Sequence, residues 1–198
     1  MATVLYIKAN PKSDSESRTF QVSERFIVAY RQAHPGDLIT TLDLYKENIQ
    51  SLSHEEVART HFSADLDDTF FRYSHQFHDA DKYIFAAPFW NLGIPGILKS
   101  YLDRIMIVGI TFRYTEQGPL GLCSGKKAVH ITSRGGVYSQ EPYSGYEMAD
   151  RYLRTLLGFL GVCHISTIAA EGLDLVGADV SAILTRAKRE AEEKAKSF

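Results

Sequence analysis

The stretch PFWNLGIPG, residues 88–96, lies between an apolar run that ends at Ala87 and a segment with helical periodicity. It contains the chain's one tryptophan, Trp90, together with an amide side chain and two prolines. Pro95 is predicted to start the following helix, where its missing N–H costs nothing. The stretch therefore predicts a strand, an irregular loop and a helix in succession.

The same alternation extends over the whole chain. Short apolar runs predict strands, and apolar residues three or four positions apart predict helices. The predicted strands are residues 4–7, 38–42, 83–87, 128–132 and 165–169, and the predicted helices are 19–34, 70–77, 95–107, 147–160 and a last one from about 179. This order predicts an α/β fold with a five-stranded, mainly parallel sheet and helices on both faces.

Two segments interrupt the alternation. Residues 45–64 are polar and poorly periodic, and residues 111–122 (TFRYTEQGPLGL) predict a strand followed by a Gly/Pro turn. Long insertions in a domain of this size are often lids or interface elements.

Composition excludes several classes of protein. The chain has 198 residues, the size of one domain, and a net charge of −2, which gives no basic field for nucleic acid. No apolar run is long enough to span a membrane. The protein is therefore predicted to be soluble, and Cys123 and Cys163, which lie far apart and form no CxxC pattern, predict a reducing cytoplasmic compartment. His75 and His78 lack a third ligand at metal-binding spacing, so no metal site is predicted.

Ligands of parallel sheets bind beyond the carboxyl ends of the strands, where strand order reverses. The first loop at that edge, ANPKSDSESRT (residues 9–19), offers Ser15, Ser17, Arg18 and Thr19 at the start of a helix. The N–H groups and partial positive charge there favour a phosphate, although Ser15 or Ser17 could simply cap the helix. No GxGxxG or Walker A sequence is present, so the loop predicts a mononucleotide site.

The second loop contains Phe89, Trp90 and Asn91, which supply flat apolar surface and an amide for a heteroaromatic ring. Trp90 could instead be a core anchor, and Pro88 a strand terminator. The third loop, SRGG (residues 133–136), has paired glycines that allow backbone N–H groups close to a flat or anionic ligand. Three compatible loops at one edge favour a ligand site over three separate structural explanations.

With these loops the chain resembles the FMN-dependent NADH-azoreductases, also called FMN-dependent NADH:quinone oxidoreductases, nearly from end to end. The most specific motifs are PFWNLGIPGILKSYLDR (88–104), GITFRYTEQGPLGL (109–122), KKAVHITSRGGVYS (126–139) and LLGFLGV (156–162), while KANPKSDSESRTFQV (8–22) is a looser match. The resemblance implies a single flavodoxin-like flavin-binding domain over residues 1–198, with FMN as cofactor and NADH as electron donor.

The resemblance also implies site residues. The phosphate loop would be at Ser17, Arg18 and Thr19, the isoalloxazine ring beside the second loop, and its pyrimidine side beside the third. The implied cofactor-binding residues are Asn10, Ser17, Arg18, Thr19, Pro88, Phe89, Trp90, Asn91, Leu92, Ser133, Arg134, Gly135 and Gly136. Similar proteins are homodimers with two active sites at the interface, which predicts a substrate pocket that includes Tyr114, Tyr138 and Phe159.

The implied activity is a ping-pong exchange in which NADH reduces FMN and a quinone, azo or nitroaromatic compound then takes the hydride. No side chain is assigned as catalytic, because the flavin carries the redox chemistry. The proton source is open between Tyr138, Tyr143 and solvent. One alternative is a flavodoxin-like FMN electron carrier without its own substrate pocket, which the near-balanced charge and the two insertions disfavour. Another is a flavin-free regulatory or scaffolding homologue.

Overall fold

The computed structural model describes residues 1–62 and 68–198 as seven strands, six α-helices and two short 3₁₀ helices. The strands are β1 Thr3–Lys8, β2 Leu38–Asp43, β3 Lys82–Ala86, β4 Phe112–Thr115, β5 Gly118–Gly121, β6 Lys127–Ser133 and β7 His164–Ala170. The helices are α1 Arg18–Ala33, α2 His54–Phe62, α3 Arg72–Asp79, α4 Gly96–Ile105, α5 Ala149–Phe159 and α6 Val180–Ala195, with 3₁₀ turns at Thr69–Phe71 and Ser144–Tyr146. None of the described helices has the length and apolar character needed to cross a bilayer.

Five strands form one parallel sheet in the order β2-β1-β3-β6-β7. The five strands predicted from the sequence are these five, and each of their bounds differs by at most one residue. The order is that of the flavodoxin-like fold, in which the chain first moves to one side of β1 and then returns across it. The predicted fold class is confirmed.

Side chains alternate between two cores, one on each face of the sheet, because successive residues of a strand point in opposite directions. Leu5 and Ile7 of β1 pack with helices α3, α4 and α5 on one face. Val4 and Tyr6 pack with α1 and α6 on the other. Since both faces of the central strands are covered, these strands read as continuous apolar runs in the sequence.

A buried polar network fixes α5 to the sheet. The Asp150 carboxylate accepts hydrogen bonds from Thr167 at 2.6 Å and from Arg154 at 2.5 Å, and it lies 3.0 Å from Nδ1 of the buried His130. Burial alone would raise the pKa of Asp150, but the bonds from His130, Thr167 and Arg154 hold it well below its ordinary value. The start of α5 is therefore anchored to the middle of β6 and β7, where His130 and Thr167 are paired.

The two irregular segments differ from the sequence predictions. Residues 45–64 include a helix, α2, which a nine-residue polar pattern did not reveal, and residues 63 and 64 lie outside the described part. Residues 112–121 form an antiparallel hairpin, β4–β5, so Gly118 and Pro119 lie in its second strand and not in a turn. Gly121 packs so closely on α5 that a Cβ there would lie 2.1 Å from the Leu160 carbonyl carbon.

Candidate functional site

The order of the strands opens a crevice at the carboxyl edge of the sheet. The chain leaves β1 towards β2 on one side, whereas β3 is followed in the sheet by β6 on the other, so the loops after β1 and β3 diverge. A cavity of about 510 Å³ lies at this edge, within the range of small-molecule sites. Its walls are Asn10, Lys12, Glu16, Ser17, Arg18, Pro88, Phe89, Trp90, Ser133, Arg134, Gly135, Leu173 and Asp174.

Ser17 is the N-cap of α1, as the simpler interpretation of the first loop predicts. Its Oγ accepts a 3.1 Å hydrogen bond from the Phe20 N–H and a 3.0 Å bond from Nδ2 of Asn10. Asn10, Ser17 and Arg18 nevertheless line the cavity, at the positive end of the helix. The cap uses the Phe20 N–H, and the earlier N–H groups of the first turn have no partner within the helix. Capping by Ser17 and binding of an anion at the same helix end are therefore compatible.

Thr19 occupies a different place from its neighbours. Its side chain is buried, and its Oγ1 lies 2.7 Å from the Ser133 Oγ. This hydroxyl pair ties the first turn of α1 to the end of β6. Thr19 thus joins the first and third loops, and it is absent from the cavity wall that Arg18 and Ser133 share.

The second loop is a two-residue hairpin turn. The backbone groups of Trp90 and Gly93 exchange two hydrogen bonds of 3.0 Å, with Asn91 at φ 49° and Leu92 at φ 68° between them. Positive φ at both central residues defines a type I′ turn. Asparagine tolerates this conformation, but leucine pays a steric cost, and such strain is concentrated at functional sites.

Trp90 is 38% exposed, so the core-anchor interpretation is wrong. Trp90 lines the cavity, next to the buried Phe89. Asn91 and Leu92 stand at the exposed tip of the turn and do not line the cavity. The Leu92 carbonyl accepts a 3.2 Å bond from the Met148 N–H, which holds the turn against the start of α5.

Arg134, 4% exposed, is held between two carboxylates. Its Nη1 donates to Glu171 at 2.7 Å and its Nη2 to Glu147 at 3.0 Å, while its buried Nε lacks a protein partner among the described residues. Burial would raise the pKa of Glu171, but hydrogen bonds from Ser139, Arg134 and the Tyr138 N–H lower it overall. Arg134 therefore links the third loop to Glu171, which directly follows β7, and to Glu147, which precedes α5.

The two glycines of the third loop present backbone donors. Within the described residues, the N–H groups of Gly135 and Gly136 donate to no backbone carbonyl, whereas their carbonyls accept from Asp174 and Gly172. Gly135 lines the cavity and Gly136 lies just behind it, against the Tyr138 ring. Free donors at this position are suited to an electron-rich edge of a ligand.

The three residues predicted for a substrate pocket are not brought together in one chain. The Tyr138 ring packs 4.7 Å from that of Phe89, behind the second loop. The rings of Tyr114 and Phe159 lie 5.6 and 5.0 Å from the ring of Phe112, which belongs to the separate β4–β5 hairpin. Both are exposed, and neither lines the 510 Å³ cavity.

Four cavity residues were missed by the sequence reasoning: Lys12, Glu16, Leu173 and Asp174. The first two belong to the first loop, and the last two to the loop that follows β7. The same rule that selected three loops, the carboxyl ends of parallel strands, would have selected this fourth one. Among the described residues, no cluster of three or more His, Cys, Asp or Glu could hold a metal ion.

Comparison with known proteins gives consistent results. A family model described as having a flavodoxin-like fold matches residues 2–195. The FMN-dependent NADH:quinone oxidoreductase of Caldicellulosiruptor saccharolyticus is 56% identical, and one from Clostridium acetobutylicum 55%, each over 201 residues and 100% of both chains. The crystal structure of an azoreductase from Bacillus anthracis, 34% identical, superposes with a TM-score of 0.91 over 100% of both chains.

The fold, the cavity at the point of strand reversal and these matches define an oxidoreductase of the flavodoxin-like class. More particularly, the chain belongs to the family of FMN-dependent NADH:quinone oxidoreductases and azoreductases. The resemblance drawn from the sequence motifs is therefore confirmed.

We expect Arg134→Met to lower the free energy of unfolding by about 3 kcal/mol, because it leaves the carboxylates of Glu147 and Glu171 without their buried cation. Urea unfolding of the flavin-free protein measures this. Arg151→Met, an exposed change on α5, serves as the control and should cost less than about 0.5 kcal/mol. Equal costs for the two variants would contradict the positioning role of Arg134.

Proposed function

We propose that this protein uses NADH to reduce quinones to hydroquinones and azo compounds to aromatic amines, with FMN as its cofactor and ping-pong kinetics. The observation that carries the proposal is the cavity at the β1/β3 reversal, where all three motif-bearing loops meet. A solved relative of 27% identity and TM-score 0.89 is an FMN-dependent NADH-azoreductase in complex with FMN, which supports the same cofactor here.

The residues of the cavity fit FMN in three respects. Asn10, Ser17 and Arg18 offer hydroxyl, amide and guanidinium donors for a phosphate at the start of α1. Trp90, half-buried on the cavity wall, offers an aromatic face for the ring. The Gly135 N–H donates to no backbone carbonyl in the described residues, so it would be available to donate a hydrogen bond to the pyrimidine edge of the ring.

FMN, when bound, would accept two electrons as hydride from NADH and pass them to the acceptor. The chain's part is to hold the ring and to stabilise the negative charge that gathers on its pyrimidine edge. Preorganised backbone donors are effective there, since they need no reorientation as charge develops. The N–H groups of Gly135 and Gly136 are the groups that we propose for this role, and no side chain is required as a nucleophile.

We further propose that the active unit is a cytoplasmic homodimer of one-domain subunits, with a site at each end of the interface. Large apolar side chains are exposed on the second loop and on the segment before α5: Trp90, Leu92, Tyr143, Tyr146 and Met148. The Met148–Leu92 hydrogen bond shows that these two segments are adjacent. A contiguous apolar surface of this kind is typical of a subunit interface. Tyr114 and Phe159 form a second exposed aromatic cluster for the partner's site.

The visible spectrum of the purified protein, recorded anaerobically before and after addition of NADH, tests the proposal. We expect flavin bands that bleach on addition of NADH and return on addition of a quinone. Initial rates should give parallel double-reciprocal lines. Reduction by NADH without turnover of quinones or azo dyes would favour the electron-carrier alternative, and a protein that takes up no FMN would contradict the cofactor assignment.

Trp90→Ala should weaken FMN binding by about 1 to 3 kcal/mol, the scale of aromatic stacking on a planar base. Quenching of flavin fluorescence measures the affinity. Trp90→Phe is the matched variant and should retain most of it. Unchanged affinity in the alanine variant would show that the ring does not contact Trp90.

Sedimentation equilibrium should give a mass of about twice the 22.3 kDa chain. Tyr146→Ser should raise the dissociation constant of the dimer by about tenfold or more, because it removes a large exposed aromatic group from the proposed interface. Val28→Ser, at an exposed position of α1, is the control and should leave it unchanged. A monomeric wild-type protein would contradict the dimer proposal.

A further inference from the structure

The guanidinium of Arg18 is already paired with a carboxylate. Its Nη1 lies 2.6 Å from Oδ1 of Asp174, and both residues line the 510 Å³ cavity. The pair spans the cavity from the start of α1 to the loop after β7, a distance of 156 residues along the chain. The cation that the proposed function assigns to a phosphate thus has an internal anionic partner.

The position of Asp174 is fixed by its backbone. Its N–H donates a 2.9 Å hydrogen bond to the Gly135 carbonyl. Its carboxylate lies over the same glycine, so closely that a Cβ on residue 135 would be 2.6 Å from Oδ2. The absence of a side chain at Gly135 therefore leaves the space that the carboxylate occupies beside Arg18.

Of the two arginines that line the cavity, Arg18 is the one that can exchange its partner. Arg134 also lines the cavity, but it is buried between Glu147 and Glu171. Arg18 and Asp174 are instead open to water, with side-chain exposures of 40% and 67%. Water-exposed ion pairs contribute little and exchange partners easily.

We propose that Asp174 acts as a built-in competitor of the cofactor phosphate: it holds Arg18 in the empty site, and the phosphate displaces it on binding. The inference rests on the proposed function, since it assumes that FMN enters this cavity. A phosphate of roughly two negative charges would form an ion pair with Arg18 in place of Asp174. The displaced carboxylate would stay nearby and repel the phosphate. Asp174 thereby weakens binding of phosphorylated flavin and leaves binding of unphosphorylated flavin unaffected.

The two flavins, FMN and riboflavin, separate this role from others. They share the isoalloxazine ring and the ribityl chain, and they differ by the phosphate. An effect that depends on the phosphate must therefore appear with FMN alone. Because it arises between exposed charges, it must also decrease as salt rises.

Asp174→Asn keeps the shape and the backbone hydrogen bond and removes the charge. Titration of the apoprotein with each flavin, followed by fluorescence quenching, should show FMN bound about 3- to 10-fold more tightly and riboflavin changed by less than about twofold. At ~0.5 M salt the gain for FMN should largely vanish. Glu192→Gln is the matched control: it removes the same charge from an exposed ion pair with another arginine of α1, Arg25, that lies away from the cavity, and it should change neither affinity.

Three results would overturn the inference. Weaker FMN binding in Asp174→Asn would mean that the carboxylate orients Arg18 for the phosphate. An equal change in affinity for FMN and riboflavin would mean that the Asp174 carboxylate acts on the part the two flavins share and not on the phosphate. No change for either flavin would mean that the ion pair is incidental. Failure of the wild-type protein to bind FMN is a separate outcome, since it removes the proposed function and this inference together.

Discussion

The parallel hydrogen bonding of β1 with both β2 and β3 determines where a ligand can bind in this protein. Because β1 lies between β2 and β3, the connections that leave β1 and β3 run to opposite sides, and a crevice opens between their loops. The carboxyl ends of β6 and β7 meet the same edge, and they bring the glycine loop and the Asp174 loop to it. The N-terminus of α1, the aromatic turn of the second loop and the backbone N–H groups of the third loop are distant in sequence, and they are thereby brought to one cavity.

The loops at this edge are held by polar contacts more than by apolar packing. Arg134 joins Glu147 and Glu171, Thr19 bonds to Ser133, and the network around Asp150 fixes the start of α5, directly after the exposed residues Tyr146 and Met148. Breaking such a cluster leaves uncompensated buried charge, which is far more costly than losing a surface pair. The geometry of the cavity should therefore be rigid at its third-loop wall. The wall formed by Arg18 and Asp174, whose contact is exposed, is the adjustable one.

The stretch PFWNLGIPG, residues 88–96, both connects β3 to α4 and forms part of the cavity wall. Pro88 and Phe89 end the buried strand, the type I′ turn holds Asn91 and Leu92 at positive φ, and Pro95 precedes α4 as its N-cap, one residue before the helix begins. The turn leaves Trp90 half-exposed on the cavity wall instead of in the core. Under the proposed function, this exposed aromatic residue is the one that contacts the flat ring of the flavin.

By itself the sequence determined the five strands of the parallel sheet, five of the six described α-helices, the parallel α/β class and the family, because apolar periodicity and loop motifs are local properties. It also indicated the three loops, through hydroxyls, aromatics and glycines at strand ends. Only the tertiary structure decided that Ser17 caps α1, that Thr19 bonds to Ser133, and that Trp90 is outside the core. It alone paired Arg18 with Asp174 and enclosed Arg134 between Glu147 and Glu171. Such contacts depend on how separate segments fold together, and the free energy that selects them is not encoded in any one stretch.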